Sequence, residues 1–397
     1  MLSLPLNWML AERSAQLRLR INWILGPADL SGGVRVVKQL AEHMAWRGHT
    51  CTIAYLPERS AWPAPWRVRT FARRAGRAWR MRGKDRHHLV DVDPAVRTLE
   101  LPGTRIEAHQ VPDADIVIGT WWETMEWIAR WPSEKGAHAY FIQHHELHGG
   151  DPWRVRATYR MPALKLTVAS WLRDLMRDAY GDPDAVLIPN GIDFAQFHAP
   201  PRSLSDPPTV GVMTSRTAWK RTDLAFEAIR LAQRSIPQLR ALAFGVDAPP
   251  RGMVLPANLE FRLRPQQADL AELYSRCDVW LLPSDSEGFG LPGLEAAACR
   301  CPVIATRCGG PEDFVHDGRS GHLVPCGDAE SMAKRLVDVV SASDEAWQNM
   351  SEASHAIAQR FSWPHSARRL ERALLQHLGR EPVRTSVAPR RSRRLAT

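Results

Sequence analysis

The chain is 397 residues long, which favours two domains of roughly 150–200 residues each over one. With 44% hydrophobic and 24% charged residues it reads as globular, and no apolar run approaches the roughly 20 residues that a membrane-spanning helix needs. A net charge of +9 favours anionic partners such as phosphorylated substrates, acidic lipid or nucleic acid.

Residues 1–17, beginning MLSLPLNWML, lack a basic leader and contain Pro5, so they read as an N-terminal arm rather than a signal peptide. From residue 18 short apolar runs alternate with helical patterns. Strands are expected in LRLRINWIL (17–25), CTIAYL (51–56), DIVIGT (115–120), AHAYFIQ (137–143), LTVAS (166–170) and AVLIPN (185–190). Between the first two, Val34, Val37, Leu40, Ala41 and Met44 share one helical face, which Gly48 ends. This alternation predicts a parallel, doubly wound sheet over residues 18–196.

Within that half, WRVRTFARRAGRAWRMRGKDRHH (66–88) concentrates basic charge. Val68, Phe71, Ala72, Ala75, Ala78 and Trp79 line one face, with arginines around the rest. Arg73, Arg74, Arg77, Trp79 and Arg80 are therefore expected to touch an anionic membrane surface or an acceptor; nucleic acid is the least favoured reading.

The Pro- and Ser-rich stretch from residue 197 to 208 reads as a linker. The alternation then restarts over 209–362, with strands expected in TVGVMTS (209–215), RALAFG (240–245), NLEFRLR (258–264), VWLLPS (279–284), CPVIATR (301–307) and GHLVP (321–325). A late amphipathic helix over 363–379 carries Leu370, Ala373, Leu374, His377 and Leu378 on one stripe, and the basic residues 380–397 read as a disordered tail. The six cysteines form no CxxC pair or Cys/His ligand spacing, which suits a reduced, intracellular chain whose thiols are small buried hydrophobes.

Two α/β domains in succession predict a cleft between them, with ligands beyond the carboxyl ends of the strands. SEGFGLPGLE (286–295) lies at such an end. Gly288 and Gly290 allow a tight turn and close approach, and Pro292 suits the first turn of a helix. The helix start favours a phosphate, while Glu287 and Glu295 can accept hydrogen bonds from hydroxyls. An anion site flanked by two hydroxyl acceptors suits a sugar diphosphate compound. A glycosidase acid–nucleophile pair, the other use of two carboxylates, needs no phosphate site.

SDSEGFGLPGLEAAACRCPVIATRCGGPEDFVHDGRSGHLVP resembles the donor signature of the family 4 glycosyltransferases, with its E-x7-E pair. The SGG turn (31–33), VLIPNGIDFAQF (186–197), SRTAWKR (215–221) and AELYSRCDVWLLPS (271–284) are further marks in the family's order, so the resemblance runs from about residue 18 to 378. It implies a GT-B fold: two facing Rossmann-like domains, the last helix crossing back to the first. It also implies transfer of a sugar from a nucleoside-diphosphate sugar with retention, usually without a metal, onto a glycan or lipid-linked acceptor held by the first domain. Segments around YFIQ (140–143) are similar to bacterial rhamnosyltransferase-type members that build surface polysaccharide.

By position, the resemblance implies that Glu295 holds the ribose and Glu287 the donor sugar, with Gly288, Phe289, Gly290 and Leu291 completing that turn. Arg216 and Lys220 neutralise the diphosphate, Gly33 passes close to the sugar or phosphate, and Arg264 with Pro265 lies by the base. Stabilising the leaving charge is the dominant task, and losing a preorganised charged group costs roughly 3 kcal/mol, so these cations are expected to outweigh the helix terminus. The family usually has glycine where Arg221 stands, leaving open whether Lys220 or Arg221 reaches the phosphate. The family also places a histidine at the strand end of YFIQHHELHGG (140–150); His144 is the expected residue, with His145 the alternative.

His145-Glu146-Leu147-His148 is one residue short of a zinc HExxH, and the pairs Asp91/Asp93, Asp113/Asp115 and Asp182/Asp184 imitate a metal-binding DxD. No metal and no cofactor beyond the nucleotide-sugar co-substrate is expected. The protein is expected in the cytoplasm, peripheral on the inner face of the cell membrane. Two rival readings are a nucleotide-sugar epimerase, which would turn over a donor without an acceptor, and a silent nucleotide-sugar-binding relative.

Overall fold

The computed structural model describes residues 18–57, 87–250 and 252–380. In the first half the elements run β1 (Arg20–Pro27), α1 (Gly32–Trp46), β2 (Thr50–Leu56), β3 (Val96–Glu100), β4 (Ile116–Gly119), α2 (Trp122–Ile128), β5 (Ala137–Ile142), α3 (Pro152–Tyr159), β6 (Leu164–Thr167), α4 (Ser170–Tyr180) and β7 (Val186–Leu187). They form a seven-stranded sheet in the order β3-β2-β1-β4-β5-β6-β7, parallel throughout.

The second half runs β8 (Thr209–Met213), α5 (Thr222–Ser235), β9 (Arg240–Gly245), β10 (Leu259–Leu263), α6 (Leu270–Ser275), β11 (Val279–Leu282), α7 (Leu291–Ala298), β12 (Val303–Thr306), β13 (Gly321–Val324), α8 (Ala329–Val340), α9 (Asp344–Ala358) and α10 (Trp363–His377). Its six strands, also parallel, follow the order β10-β9-β8-β11-β12-β13. All six were expected from sequence: β9, β11 and β12 are short apolar runs buried nearly throughout, and edge strand β10, with no buried residue, still alternates apolar and polar positions. β3 was not expected: it is an edge strand in which only Val96 is buried, so VRTLE has no apolar run to betray it. Residue 170, placed at the end of a strand by its sequence, instead opens α4.

The strand order reverses between β1 and β4 and again between β8 and β11. Loops leaving neighbouring strands diverge at these points and open a crevice at the strands' carboxyl ends. The SGG turn lies at the first switch point; residues 214–220 and 283–288 lie at the second.

The crossing helix is present. Leu370, Ala373 and Leu374 of α10 are buried, joined by Leu375, while His377 is exposed and leaves the expected stripe. Glu371 takes the His49 ring at 2.8 Å and pairs with Arg47, and Ser366 donates to the Pro189 carbonyl at 2.5 Å. One apolar cluster runs from the first sheet through α10 to the face of the second sheet that α7 covers; a second fills the opposite face beneath α5 and α8. The two domains thus share a core.

The linker has no regular secondary structure but is not loose. Arg202 donates to the fully buried Asp278 at 2.6 Å and to the carbonyls of Ser275 and Cys277, and its guanidinium lies 4.7 Å from the Trp347 ring centre. Asp278 also accepts from the amides of Ser205 and Thr209. Removing the cation strands a buried carboxylate, so Arg202→Ala is expected to destabilise the protein by about 3 kcal/mol in urea unfolding, with Arg202→Lys losing less. A loss below about 1 kcal/mol would show that the two amides suffice.

Candidate functional site

At the second switch point Lys220, in the turn after β8, points at Glu287, in the loop after β11. Its ammonium is 2.7 Å from both carboxylate oxygens, and the Ser284 hydroxyl donates to Oε1 at 2.7 Å. Glu287 is only 4% exposed, and this cation and donor offset its lost hydration. Arg221 has φ +48°, a left-handed conformation that accounts for the glycine the family usually carries there. Its guanidinium turns to Asp223 and Asp285, so Lys220 is the cation that faces the carboxylate.

Arg216 is not brought to this pair. It is 64% exposed and reaches Asp247 at 3.7 Å, in the loop after β9. Arg264, also left-handed at φ +51°, donates to the Val246 carbonyl in that loop at 2.8 Å. Both arginines therefore turn to the loop after β9, away from the Lys220–Glu287 pair.

Gly290 has φ +93° and leads into α7, with Pro292 in the first turn. That turn offers fewer amides than expected, because Pro292 has none and Gly293 donates to the Gly290 carbonyl at 2.9 Å. Glu295, 3% exposed, accepts from the Tyr274 hydroxyl at 2.8 Å and pairs with Arg35 of α1, across the domain boundary. Sequence reasoning missed Arg35; its place two residues after the SGG turn was the available clue.

Gly288 is needed for a different reason than the one expected. A Cβ there would lie 1.8 Å from the Gln143 carbonyl oxygen, so the close approach is to the backbone of the first domain. The Trp171 indole N–H donates to the Gly288 carbonyl at 3.1 Å across the same seam. Phe289 faces inward, packing on Phe314 and Phe361, and is a core residue rather than a cleft one. Leu291 lies against Gly32, and the Gly33 carbonyl accepts from the Gln143 side chain at 3.3 Å.

The histidines after β5 divide their tasks. His144 Nδ1 donates to the His145 carbonyl at 3.1 Å, leaving Nε2 toward the Ser286 hydroxyl at 3.3 Å, beside Glu287. Burial lowers its pKa, so the ring facing the cleft is neutral at pH 7. His145 turns away to the Tyr180 hydroxyl at 2.8 Å. Glu146, unremarked in the sequence except as part of a false zinc motif, is fully buried. It accepts from the Trp122 amide at 2.7 Å and the Tyr140 hydroxyl at 2.8 Å, and its Oε1 has no partner.

Four of the six acidic residues in these pairs are engaged structurally: Asp93 accepts from Trp46, Asp113 pairs with Lys135, Asp115 with Arg20 and Asp182 with Lys165. Among the described residues no three His, Cys, Asp or Glu side chains come together as a metal site. Cys299 and Cys301 are buried free thiols, and burial raises that of Cys299 to about 12, which leaves it unreactive. Arg73, Arg74, Arg77, Trp79 and Arg80 lie outside the described residues, as do the arm and the basic tail from residue 381.

Residues 193–356 match the family model of glycosyl transferases group 1. The D-inositol 3-phosphate glycosyltransferase of Corynebacterium urealyticum is 39% identical over 102 residues, covering 26% of this chain and 24% of that protein. The chain spans about a quarter of the length of the curated relatives it matches. Whole-chain likeness is to solved structures. Sucrose-phosphate synthase from Thermosynechococcus elongatus superposes with a TM-score of 0.68 at 18% identity, over 91% of this chain and 100% of that one. Anabaena Alr3699/HepE in complex with UDP and glucose gives 0.67 at 16% identity, over 91% and 100%. The fold is GT-B, as the sequence resemblance implied.

Glu146 also sets a pH dependence. Burial raises its pKa from 4.5 to about 8, against the hydrogen bonds from Tyr140 and Trp122 that favour the ionised form. A carboxyl that keeps its proton when folded makes folding take up a proton between those two values, so stability falls as pH rises through that window. Thermal melts are expected to show wild type losing stability more steeply than Glu146→Gln between about pH 5 and 9. Parallel curves would mean that the buried carboxyl is ionised.

Proposed function

We propose that the protein is a retaining glycosyltransferase of family 4 that moves a sugar from a nucleoside-diphosphate sugar to a glycan or lipid-linked acceptor, in the synthesis of cell-surface polysaccharide, with no metal in the chemical step. The observation that carries this reading is the Lys220–Glu287 pair at the second switch point, with Glu295 one helix turn beyond Gly290 and His144 opposite. Support comes from the group 1 match over residues 193–356 and from a GT-B neighbour holding UDP and glucose.

Each residue then has one task. Cleaving the anomeric C–O bond leaves charge on the diphosphate, which the Lys220 ammonium neutralises. Glu287 accepts from hydroxyls of the donor sugar, and Glu295 from those of the ribose. His144, neutral and held by the His145 carbonyl, sets its ring at the face of the sugar where positive charge develops. With the diphosphate and the incoming hydroxyl on one face, a leaving oxygen takes the acceptor proton and configuration is retained. Arg216 and Arg264 serve the rim, toward the diphosphate and the base.

A thermal-shift panel of UDP-, GDP-, dTDP- and ADP-sugars tests this on wild type and Glu295→Ala. One nucleotide class is expected to stabilise wild type and not the variant, and Lys220→Met is expected to lower kcat by on the order of a hundredfold or more. Absence of any shift, from the sugars and from the bare nucleoside diphosphates, would remove the donor site. Conversion of a donor nucleotide sugar into its epimer without an acceptor would point to the epimerase instead.

The localisation we propose is cytoplasmic, peripheral on the inner membrane face through the basic segment 66–88. Among the described residues no helix is long and apolar enough to cross a membrane. Sedimentation with phosphatidylglycerol vesicles should carry the protein down at low salt and release it as salt rises. Equal recovery with purely zwitterionic vesicles would end this part of the reading.

A further inference from the structure

We propose that Trp219, His148 and Trp121 form an aromatic subsite beside His144 that takes the pyranose ring of an uncharged acceptor glycan. The proposal deepens the reading above and rests on it for the direction of transfer.

The three rings make a continuous path between the domains. Trp219, the residue before Lys220, has its ring centre 4.4 Å from that of His148, which lies in the loop after β5. The His148 ring is 5.0 Å from His144 and 5.8 Å from Trp121, at the start of α2. His148 is exposed and both tryptophans are partly so, which leaves ring surface open at the mouth of the cleft. A molecule seated there would lie within one residue of the cation on Glu287 and against the histidine that faces Ser286.

The platform is held in place from behind. A Cβ on Gly149 would fall 2.1 Å from the Trp121 ring, and one on Gly150 would fall 2.3 Å from Trp122, so these glycines let two indoles lie flat on the loop. The Trp122 indole N–H donates to the Gly149 carbonyl at 3.2 Å, and Glu146 takes the Trp122 amide, fixing the start of α2. On the other side the Trp219 carbonyl accepts from the Asp285 amide at 2.7 Å, which ties the turn to the Glu287 loop. Rings anchored through backbone lose little freedom when a ligand arrives.

The chemistry of the surface selects the ligand. The apolar C–H face of a pyranose stacks on an indole, while its equatorial hydroxyls reach outward to ring nitrogens such as those of His148. Burial and the neighbouring His144 lower the pKa of His148, so both imidazoles are neutral at pH 7. Lys220, beside Trp219, is engaged with Glu287, and Arg154, over the Trp122 ring, with Glu126. The platform therefore favours an uncharged sugar ring over a polyol phosphate.

Saturation-transfer NMR in the presence of UDP tests the subsite. The probes are the methyl α-pyranosides of D-mannose, D-glucose and L-rhamnose, with D-inositol 3-phosphate as the anionic comparison. Ring protons of at least one pyranoside are expected to receive saturation. Its Kd should rise about tenfold in Trp219→Ala and in Trp121→Ala, and recover in the matching Phe variants. Trp153→Ala, at an exposed tryptophan on α3 outside the platform, should leave binding unchanged. Transfer to no pyranoside, equal binding in both alanine variants, or preference for D-inositol 3-phosphate would overturn the proposal. So would a signal lost in Glu287→Gln and kept in Trp219→Ala, since that places the sugar at the donor position. Thermal shifts with UDP, GDP, dTDP and ADP on the same samples keep the two readings apart: failure of wild type to respond to any of them counts against the donor site, whereas the pyranoside result speaks to the platform.

Discussion

The site depends on how closely two backbones meet. Gly288, in the second domain, lies so near the Gln143 carbonyl of the first that no side chain fits between them. Trp171 closes the same seam with its bond to Gly288 and its ring against Gly309, and the Ser170 amide donates to Asp313 at 2.8 Å. Contacts made through backbone and rigid rings have few soft torsions, so they fix the distance between His144 on one side and Lys220–Glu287 on the other. Groups that separate domains bring to one site need that constancy wherever they act together, because misplacement of about 1 Å can cost on the order of a hundredfold in rate.

Four buried carboxylates show how this chain handles charge without water. Asp278 is matched by Arg202 and two amides, and its task is to hold the linker. Glu287 and Glu295 are each matched by one cation and one hydroxyl: Lys220 with Ser284, and Arg35 with Tyr274. Those cations sit on flexible side chains at the crevice, where a phosphate or a diol can compete for them. Glu146 has no cation and keeps its proton, giving a rigid neutral anchor under the His144 loop. Similar burial therefore anchors structure in two cases and holds a carboxylate against a movable cation at the crevice in the other two.

Much of the fold was legible in advance. The six strands of the second domain, the apolar face of α1 and most of the α10 stripe are local patterns, and burial on one or both faces writes them directly into residue spacing. The E-x7-E turn was legible too, since a strand end, two glycines and a helix-starting proline constrain the backbone within ten residues. β3 escaped because VRTLE has only two apolar positions and buries only Val96, whereas edge strand β10 keeps an apolar residue at every second position.

What the amino-acid sequence determined by itself was the succession of elements, the two-domain alternation and the local turns that present Glu287, Glu295 and His144. Tertiary structure alone decided which partners those turns meet. Arg35 reaches a carboxylate 260 positions away, Gln143 dictates glycine at 288, and Lys220 rather than Arg216 or Arg221 takes Glu287. Periodicity reports a residue's burial within its own element, whereas pairing across a domain seam depends on how two sheets, distant in sequence, are set against each other.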